Sequence, residues 1–268
     1  MNDRASTPNL APSLLDLATR VAAQAGAFLL AGVEKPRSAV ETKSTGTDMV
    51  SEMDRGAERL IVDGILAERP DDGFLGEEGA SRAGTSGVRW IIDPLDGTTN
   101  YLYGHPLWSV SIGVEVDGVM TVGVVEAPTL AETFTATLGG GASRNGRPIR
   151  VGSGAAFDNA LIGTGFSYDP ATRARQGVVV AALAPIVRDV RRGGSAALDL
   201  AFVACGRLDG YYERGLNTWD LAAGVLMVQE AGGVATGTGE EPASVEMCIT
   251  GNPVIHGLLR DHVAVHSR

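Results

Sequence analysis

The sequence is poor in the residues that build disulfide frameworks and soft-metal sites. Its 268 residues include two cysteines, Cys205 and Cys248, which lie far apart and form no Cys-x-x-Cys motif. We therefore expect no disulfide and interpret each cysteine as a small buried residue. The four histidines show no metal-ligand spacing, and the last three fall in the predicted C-terminal helix and tail.

Basic residues and long apolar runs are also scarce. Lysine and arginine number 22 against 32 aspartates and glutamates, which gives a net charge of −10. This charge disfavours non-specific binding to nucleic acid or to an anionic membrane. Residues 1–8 lack the apolar core of a signal peptide, and the longest apolar run, near residues 178–187, is too short to cross a bilayer. We therefore expect a soluble cytoplasmic protein, in which any bound phosphate would need local cations.

Two patterns of secondary structure follow one another along the chain. The first predicts helices with apolar positions over residues 14–28 and 50–61, then strands over 74–76, 88–92, 110–116, 120–125 and 132–138, with tight turns at 117–118 and 145–146. The second predicts strands over 161–164, 188–192 and 208–212, and helices over 170–187, 195–205, 218–231 and 254–265. We therefore predict an α/β protein: an α+β half with an antiparallel sheet (residues 1–155) and an α/β half (residues 156–268) that completes the site.

The most informative segment is residues 93–100, Asp-Pro-Leu-Asp-Gly-Thr-Thr-Asn, which follows a short apolar run. Asp93 is expected where the strand ends, and Asp96 about one turn further on. Because Pro94 fixes its own φ and has no N–H, we expect the carbonyl of Leu95 to be free to face a ligand. The segment thus places two carboxylates and a carbonyl oxygen near one another.

Gly97 and its successors add an anion-binding element to this segment. Gly97 lets the backbone approach a ligand closely, and the N–H groups of a helix that begins at residues 97–99 would point at the same place. Carboxylates that hold hard cations, beside amides that hold phosphate, are typical of metal-assisted phosphoryl transfer. An Asp-x-x-Asp pair alone is more often a cap or a solvated turn, so this interpretation depends on the rest of the chain.

Acidic residues recur in three other segments, each of which also has a purely structural explanation. Glu77 belongs to a Gly-Glu-Glu-Gly loop directly after a predicted strand. Asp220 falls in the first turn of a predicted helix that Thr218 would cap, where the helix dipole favours an acid. Lys43 and Asp54 bracket the start of the second helix, where a solvated helix start would explain them equally well.

Taken in order, these segments resemble the inositol monophosphatase family of metal-dependent, lithium-sensitive phosphatases. The resemblance is carried by residues 76–78, 93–100, 194–196 and 219–224, and extends from about residue 14 to 257. It implies a layered α/β/α/β/α sandwich that is often dimeric. It also implies a hydrolase of phosphate monoesters that uses two to three Mg²⁺ ions.

The resemblance also assigns roles to individual residues. One Mg²⁺ is expected on Glu77, Asp93 and the carbonyl of Leu95. A second is expected on Asp93, Asp96 and Asp220, and a third, weaker ion near Glu77. The water-activating and substrate-binding positions are Thr98 paired with Asp54 (attacking water), the amides of Gly97 and Thr98 (phosphate), and Gly194, Ser195, Ala196 and Glu213 (inositol ring), with a loop contribution from Lys43.

The substrate expected from the resemblance is inositol 1-phosphate, which would yield inositol and phosphate. Glu213 could accept hydrogen bonds from two ring hydroxyls, and a buried acceptor discriminates against ligands that lack them. Histidinol phosphate, fructose 1,6-bisphosphate and 3′-phosphoadenosine 5′-phosphate remain alternatives on the same site. A regulatory binding protein with the same fold is the alternative from another class, although no basic patch indicates contact with nucleic acid.

Overall fold

The computed structural model describes residues 7–33, 41–42, 49–50, 52–154 and 156–267. The described helices are α1 Thr7–Gly32, α2 Glu52–Glu68, α3 Thr98–Tyr103, α4 Pro170–Leu183, α5 Ala196–Ala204, α6 Thr218–Glu230 and α7 Pro253–His266. The described strands are β1 Glu41–Thr42, β2 Met49–Val50, β3 Gly73–Gly76, β4 Ser81–Arg82, β5 Val88–Asp96, β6 Ser109–Val116, β7 Val119–Ala127, β8 Glu132–Thr137, β9 Gly141–Arg144, β10 Arg147–Pro148, β11 Leu161–Thr164, β12 Asp189–Arg191, β13 Gly210–Glu213, β14 Val234–Thr236 and β15 Cys248–Gly251.

The elements stack in five layers, which confirms the predicted sandwich. An eight-stranded sheet in the order β10-β9-β8-β7-β6-β5-β3-β4 packs against α1 and α2 on one face and against α6 on the other. A five-stranded sheet in the order β12-β11-β13-β15-β14 packs against α5 and α7, and α7 contacts α4. Helices α5 and α6 therefore lie between the two sheets. The division of the chain into halves near residue 155 stays a prediction.

The first sheet is mixed, whereas the sequence predicted an antiparallel one. Strand β3 pairs with β5 in parallel and with β4 antiparallel, while β5 to β10 form antiparallel neighbours. The parallel pair has a consequence for the site. Parallel strands end at the same edge of a sheet, so the residues that follow β3 emerge beside the end of β5.

Strand β5 is longer than predicted, because it continues through Asp96 instead of ending before Asp93. It pairs with β6 at Asp93 and again at Asp96, with an irregularity of register between them. Pro94 lies in that irregular stretch, where a residue without an N–H is tolerated. Both carboxylates are thus fixed by a strand and not by a turn.

Other boundaries differ from the sequence predictions for identifiable reasons. Helix α4 ends at Leu183 and not near residue 187, because Pro185 has no N–H with which to continue the helix beyond Ala184, whose own backbone is still helical. The N-cap of α6 is Asn217 instead of Thr218. Val50 lies in β2 and not in the second helix. Strands β14 and β15 were not predicted.

Helix α1 also departs from the expectation that no segment could span a bilayer. Its stretch Leu10–Gly32 is long and apolar enough to cross a membrane by length and composition. In the structure its apolar face lies in the protein core, where residues such as Leu14, Val21 and Leu29 are completely buried. That face packs against α2 and against strands β6 and β7. The alanine-rich composition of α1 is thus explained by close packing on the sheet.

Candidate active site

Three acidic side chains from distant parts of the sequence converge at one end of β5. Asp93 and Asp96 lie on β5, and Asp220 lies in the first turn of α6. One carboxylate oxygen from each lies within 4.8 Å of the others. The N–H of Leu95 donates to Oδ1 of Asp93 at 3.0 Å, and the N–H of Asn217 donates to Oδ2 of Asp220 at 2.6 Å. Backbone donors therefore orient the carboxylates of Asp93 and Asp220.

Glu77 approaches the same cluster from the loop after β3. It lies close enough to Asp93 for the two carboxyls to share a hydrogen bond. Glu58 of α2 anchors this loop. Its carboxylate oxygens accept hydrogen bonds from the N–H groups of Glu78 and Ala80, each at 2.9 Å. The buried Glu58 was not identified from the sequence, because an acid in a helix gives no signal of its own there.

Burial and mutual repulsion raise the pKa values of these carboxyl groups. Burial, followed by the charges of Glu77 and Asp96, raises the pKa of Asp93 well above its usual range. Burial raises the pKa of Asp96 to about 7, against the lowering effect of hydrogen bonds from Ser195 and Ala197. Burial also raises the pKa of Asp220 to about 7. Packing like charges together inside a protein costs free energy that a bound cation would offset.

The donor set fits a hard divalent cation. All the side-chain donors are carboxylate oxygens, which Mg²⁺ and Ca²⁺ prefer over nitrogen or sulfur ligands. The carboxylates belong to a strand, a helix start and a short loop whose positions are fixed by backbone hydrogen bonds. Asp93, Asp96 and Asp220 form a group that could hold a metal ion. Glu77 and the carbonyl of Leu95 as further ligands stay a prediction.

The start of α3 lies against this cluster. Gly97 is the N-cap of α3 with a left-handed φ of 97°, and a Cβ there would lie 3.1 Å from the carbonyl oxygen of Leu107 and 3.2 Å from that of Gly194. Only glycine fits this close approach without strain. The Thr98 hydroxyl donates to the carbonyl of Leu95 at 3.2 Å. The first N–H groups of α3 have no partner within the helix, so they can serve a bound anion.

A loop before α5 closes the site on another side. Ser195 is the N-cap of α5, as predicted, and accepts from the N–H of Leu198. Its hydroxyl and the N–H of Ala197 both donate to Oδ2 of Asp96, each at 2.7 Å. Asn100 of α3 donates to the carbonyl of Gly193 at 2.8 Å. The acidic cluster and this loop are therefore one hydrogen-bonded unit.

Glu213 lines the same cavity and is the last residue of β13. Burial raises its pKa to about 7, while a hydrogen bond from Tyr211 and the charge of Arg192 oppose that rise. Asp199 of α5 is buried nearby, and burial followed by the charges of Asp96 and Glu213 raises its pKa well above its usual range. This end of the cavity thus carries two carboxyl groups and one guanidinium group.

Eleven of the predicted site residues line one cavity of about 370 Å³. Its walls include Glu77, Asp93, Leu95, Asp96, Gly97, Thr98, Gly194, Ser195, Ala196, Glu213 and Asp220. Asp54 is not among its described lining residues. It is buried in the first turn of α2. Burial, with a smaller contribution from the charge of Asp54, raises the pKa of the nearby Tyr101 to about 12. The Thr98–Asp54 pair therefore stays a prediction, and Lys43 lies outside the described residues.

Asp199 and Arg192 also line the cavity, although the sequence did not single them out. Asp199 lies in an otherwise apolar helix, Ala196–Ala204. An isolated acid in an apolar helix is the sequence signal that could have indicated a functional role for it. Arg192 follows the edge strand β12, where charged residues are common, so its sequence context carried no signal.

Comparisons with known proteins agree with this geometry. The model of the inositol monophosphatase family matches residues 12–265. The chain belongs to the inositol monophosphatase family. It is 45% identical over 220 residues to an inositol-1-monophosphatase of Rhizobium meliloti, covering 80% of this chain and 82% of that relative. It is 43% identical over 220 residues to a protein named Nus factor SuhB of Xylella fastidiosa, covering 82% and 80% of the two chains.

A solved structure shows the same architecture over nearly the whole chain. The extragenic suppressor protein suhB of Bartonella henselae superimposes with a TM-score of 0.90 at 37% identity, covering 94% of this chain and 98% of that one. As a member of this family, the protein is a phosphatase, that is, a phosphoric monoester hydrolase. The family is metal-dependent, and the acidic cluster can bind a metal.

Proposed function

We propose that this protein is a Mg²⁺-dependent phosphatase that hydrolyses inositol 1-phosphate to inositol and phosphate. The observation that carries the proposal is that one cavity is lined both by the acidic cluster Asp93, Asp96 and Asp220 and by Glu213. The cluster suits the reacting phosphate and its cations. Glu213 suits the hydroxyl-rich part of the substrate.

Two to three bound Mg²⁺ ions would activate water, neutralise the phosphate and stabilise the leaving alkoxide. The protein's own groups have separate tasks. The amides of Gly97 and Thr98 would hold phosphate oxygens, and the Thr98 hydroxyl, with Asp54, would orient the attacking water. Ser195 and Ala197 keep the Asp96 carboxylate in one orientation through their hydrogen bonds. Gly194, Ser195 and Ala196 offer a surface of small residues to the ring.

The charges around Glu213 favour a polyol monophosphate over a bisphosphate. In its ionised form Glu213 would repel a second phosphate, and Arg192 is the one cation among the described residues that line the cavity. Carboxylates accept hydrogen bonds from hydroxyl groups, and a substrate without them would leave these acceptors unpaired. Fructose 1,6-bisphosphate and 3′-phosphoadenosine 5′-phosphate are therefore disfavoured. Histidinol phosphate, whose organic part is cationic, is the stronger alternative.

The test is phosphate release with Mg²⁺ from inositol 1-phosphate, histidinol phosphate, fructose 1,6-bisphosphate and 3′-phosphoadenosine 5′-phosphate, compared by kcat/KM. A preference for inositol 1-phosphate, with inhibition by Li⁺, would support the proposal. A preference for another ester would keep the metal site and overturn the substrate. Size-exclusion chromatography with light scattering would test the homodimer that we also propose, and cell fractionation the cytoplasmic location.

A second function of another class is favoured by the relative named Nus factor SuhB. We propose it only as a regulatory binding role added to catalysis, since the acidic cluster is complete in this chain. The proposed regulatory role does not include contact with nucleic acid, because the strongly acidic chain disfavours binding to a polyanion. Restoration of growth of a deletion strain by the Asp96→Asn variant would support such a role, and failure to restore it would favour catalysis alone.

A further inference from the structure

The carboxyl group of Glu213 is held from two sides. The hydroxyl of Tyr211, two residues earlier on β13, donates a hydrogen bond to Oε2 of Glu213. On the other side the carboxyl group rests on the backbone of Gly165. A Cβ at Gly165 would lie 1.9 Å from Oε2 and 2.1 Å from Cδ of Glu213. The carboxyl group therefore has one well-defined place at the wall of the cavity.

Tyr211 is anchored in the core and reaches the cavity only with its hydroxyl group. The residue is completely buried and packs in the cluster between the two sheets, with Leu200 and Leu208 of the same core. Its hydroxyl faces the carboxyl groups of both Glu213 and Asp199, and the hydrogen bond goes to Glu213. A rigid aromatic ring held by the core is a precise support for a functional group.

We propose that Tyr211 is a positioning residue that, together with Gly165, holds Glu213 as a hydrogen-bond acceptor for the hydroxyl groups of the substrate; this rests on the proposed function. A carboxylate has about four acceptor positions, and Tyr211 uses one of them. The hydrogen bond leaves the remaining positions of Glu213 to the substrate. It also favours the ionised form, which accepts from hydroxyl groups at all of its positions.

The chain offers a matched control in the next residue of the same strand. Tyr212 points to the opposite face of β13 and packs in the outer core with Ile162 and Ile249. Its hydroxyl lies near Thr164 without a hydrogen bond of normal geometry. Tyr211→Phe and Tyr212→Phe thus remove the same atom from two buried tyrosines of one strand. Only the first removal takes a donor away from Glu213.

The experiment compares inositol 1-phosphate with p-nitrophenyl phosphate, whose leaving group has no additional hydroxyls. For Tyr211→Phe we expect KM for inositol 1-phosphate to rise about tenfold, the effect of losing one hydrogen bond to a charged group, with kcat changed less than about threefold. The constants for p-nitrophenyl phosphate should stay near the wild-type values. Tyr212→Phe should leave both substrates unchanged. In a Glu213→Gln background, Tyr211→Phe should cause no further rise.

Equal effects of Tyr211→Phe on the two substrates, or an undiminished effect in the Glu213→Gln background, would overturn the proposal. A second measurement separates this failure from failure of the proposed substrate. In a thermal double-mutant cycle without substrate, the melting-temperature shifts of Tyr211→Phe and Glu213→Gln should be non-additive by at least ~2 °C. Additive shifts would exclude the positioning role of Tyr211 even if inositol 1-phosphate is the substrate. Non-additive shifts would support that role even if the substrate is a different ester.

Discussion

The hydroxyl of Ser195 donates a 2.7 Å hydrogen bond to Oδ2 of Asp96, a residue 99 positions earlier in the chain. The N–H of Ala197 donates to the same oxygen at the same distance. The start of α5 and the end of β5 are therefore joined at the acidic cluster. The residue that caps a helix also sets the orientation of a carboxylate that we assign to the metal.

Replacing Ser195 with alanine should weaken the metal site. The change removes the hydrogen bond to Asp96 and the N-cap of α5, which accepts from Leu198. We expect the Mg²⁺ concentration for half-maximal activity to rise about 10- to 100-fold, the usual effect of losing a partner of a metal ligand. The melting temperature should fall by about 2–4 °C from the lost cap. Ser195→Thr keeps a hydroxyl and is the control; an unchanged Mg²⁺ requirement in Ser195→Ala would contradict the assignment.

Replacing Asp96 with asparagine should abolish most activity, because the variant loses a charged ligand shared by the cluster. We expect kcat to fall by about 10³-fold or more, since the loss acts on several charge-stabilising interactions together. Added Mg²⁺ should raise the melting temperature of the wild type and have a smaller effect on the variant. Asp189→Asn, the same change at an exposed ion pair with Arg191, is the matched control and should keep full activity. Wild-type turnover in Asp96→Asn would exclude Asp96 as a ligand.

Stability should depend on pH through Glu213. Burial raises the pKa of Glu213 from 4.5 to about 7, so folding favours its neutral form. The stabilisation is fully present below about pH 4.5 and is lost as pH rises through about 7. In the metal-free protein, Glu213→Gln should therefore gain stability over the wild type between pH 4.5 and 7, by at most about 3 kcal/mol, with no further gain above pH 8. Urea unfolding in a chelator measures this difference. A difference that is flat across this range would mean that the pKa of Glu213 is normal.

Adding one methyl group at Gly165 should displace Glu213. A Cβ at this position would overlap the carboxyl group of Glu213, whereas a Cβ at Gly177, inside α4, meets nothing within 4 Å. We expect Gly165→Ala to raise KM for inositol 1-phosphate about tenfold or more, because the acceptor moves. Gly177→Ala should leave the kinetics unchanged and stabilise the protein by about 0.5–1 kcal/mol. Unaltered kinetics in Gly165→Ala would show that the position of Glu213 does not limit binding.

Much of the site could be predicted from the sequence because its residues lie in short local patterns. The strand–turn–helix segment at residues 93–100 predicted two carboxylates beside free helix amides, and the structure has that arrangement at the end of β5 and the start of α3. Ser195 as a helix cap was equally local, since a capping side chain bonds within its own first turn. Such features depend on neighbours in sequence and on backbone preferences that each residue type carries with it.

Other features depend on neighbours distant in sequence, and the sequence patterns did not contain them. The parallel pairing of β3 with β5 places the Glu77 loop beside Asp93, and no local signal distinguishes it from an antiparallel pair. Asp199 is a single acid in an apolar helix, and only the fold brings it close enough to Glu213 for their charges to interact. The roles of Glu58 and Tyr211 depend on their hydrogen bonds, which join Glu58 to the loop after β3 and Tyr211 to Glu213 at the cavity.

The sequence by itself determined the types of chemical group and the elements that carry them: carboxylates for a cation, amides for an anion, and an α/β chain of helices and strands. Only the tertiary structure decided which groups face one another and how far they are buried. Repulsion and desolvation act over a few ångströms of space, whatever the separation along the chain. The raised pKa values of Asp96, Glu213 and Asp220 are therefore properties of the folded protein.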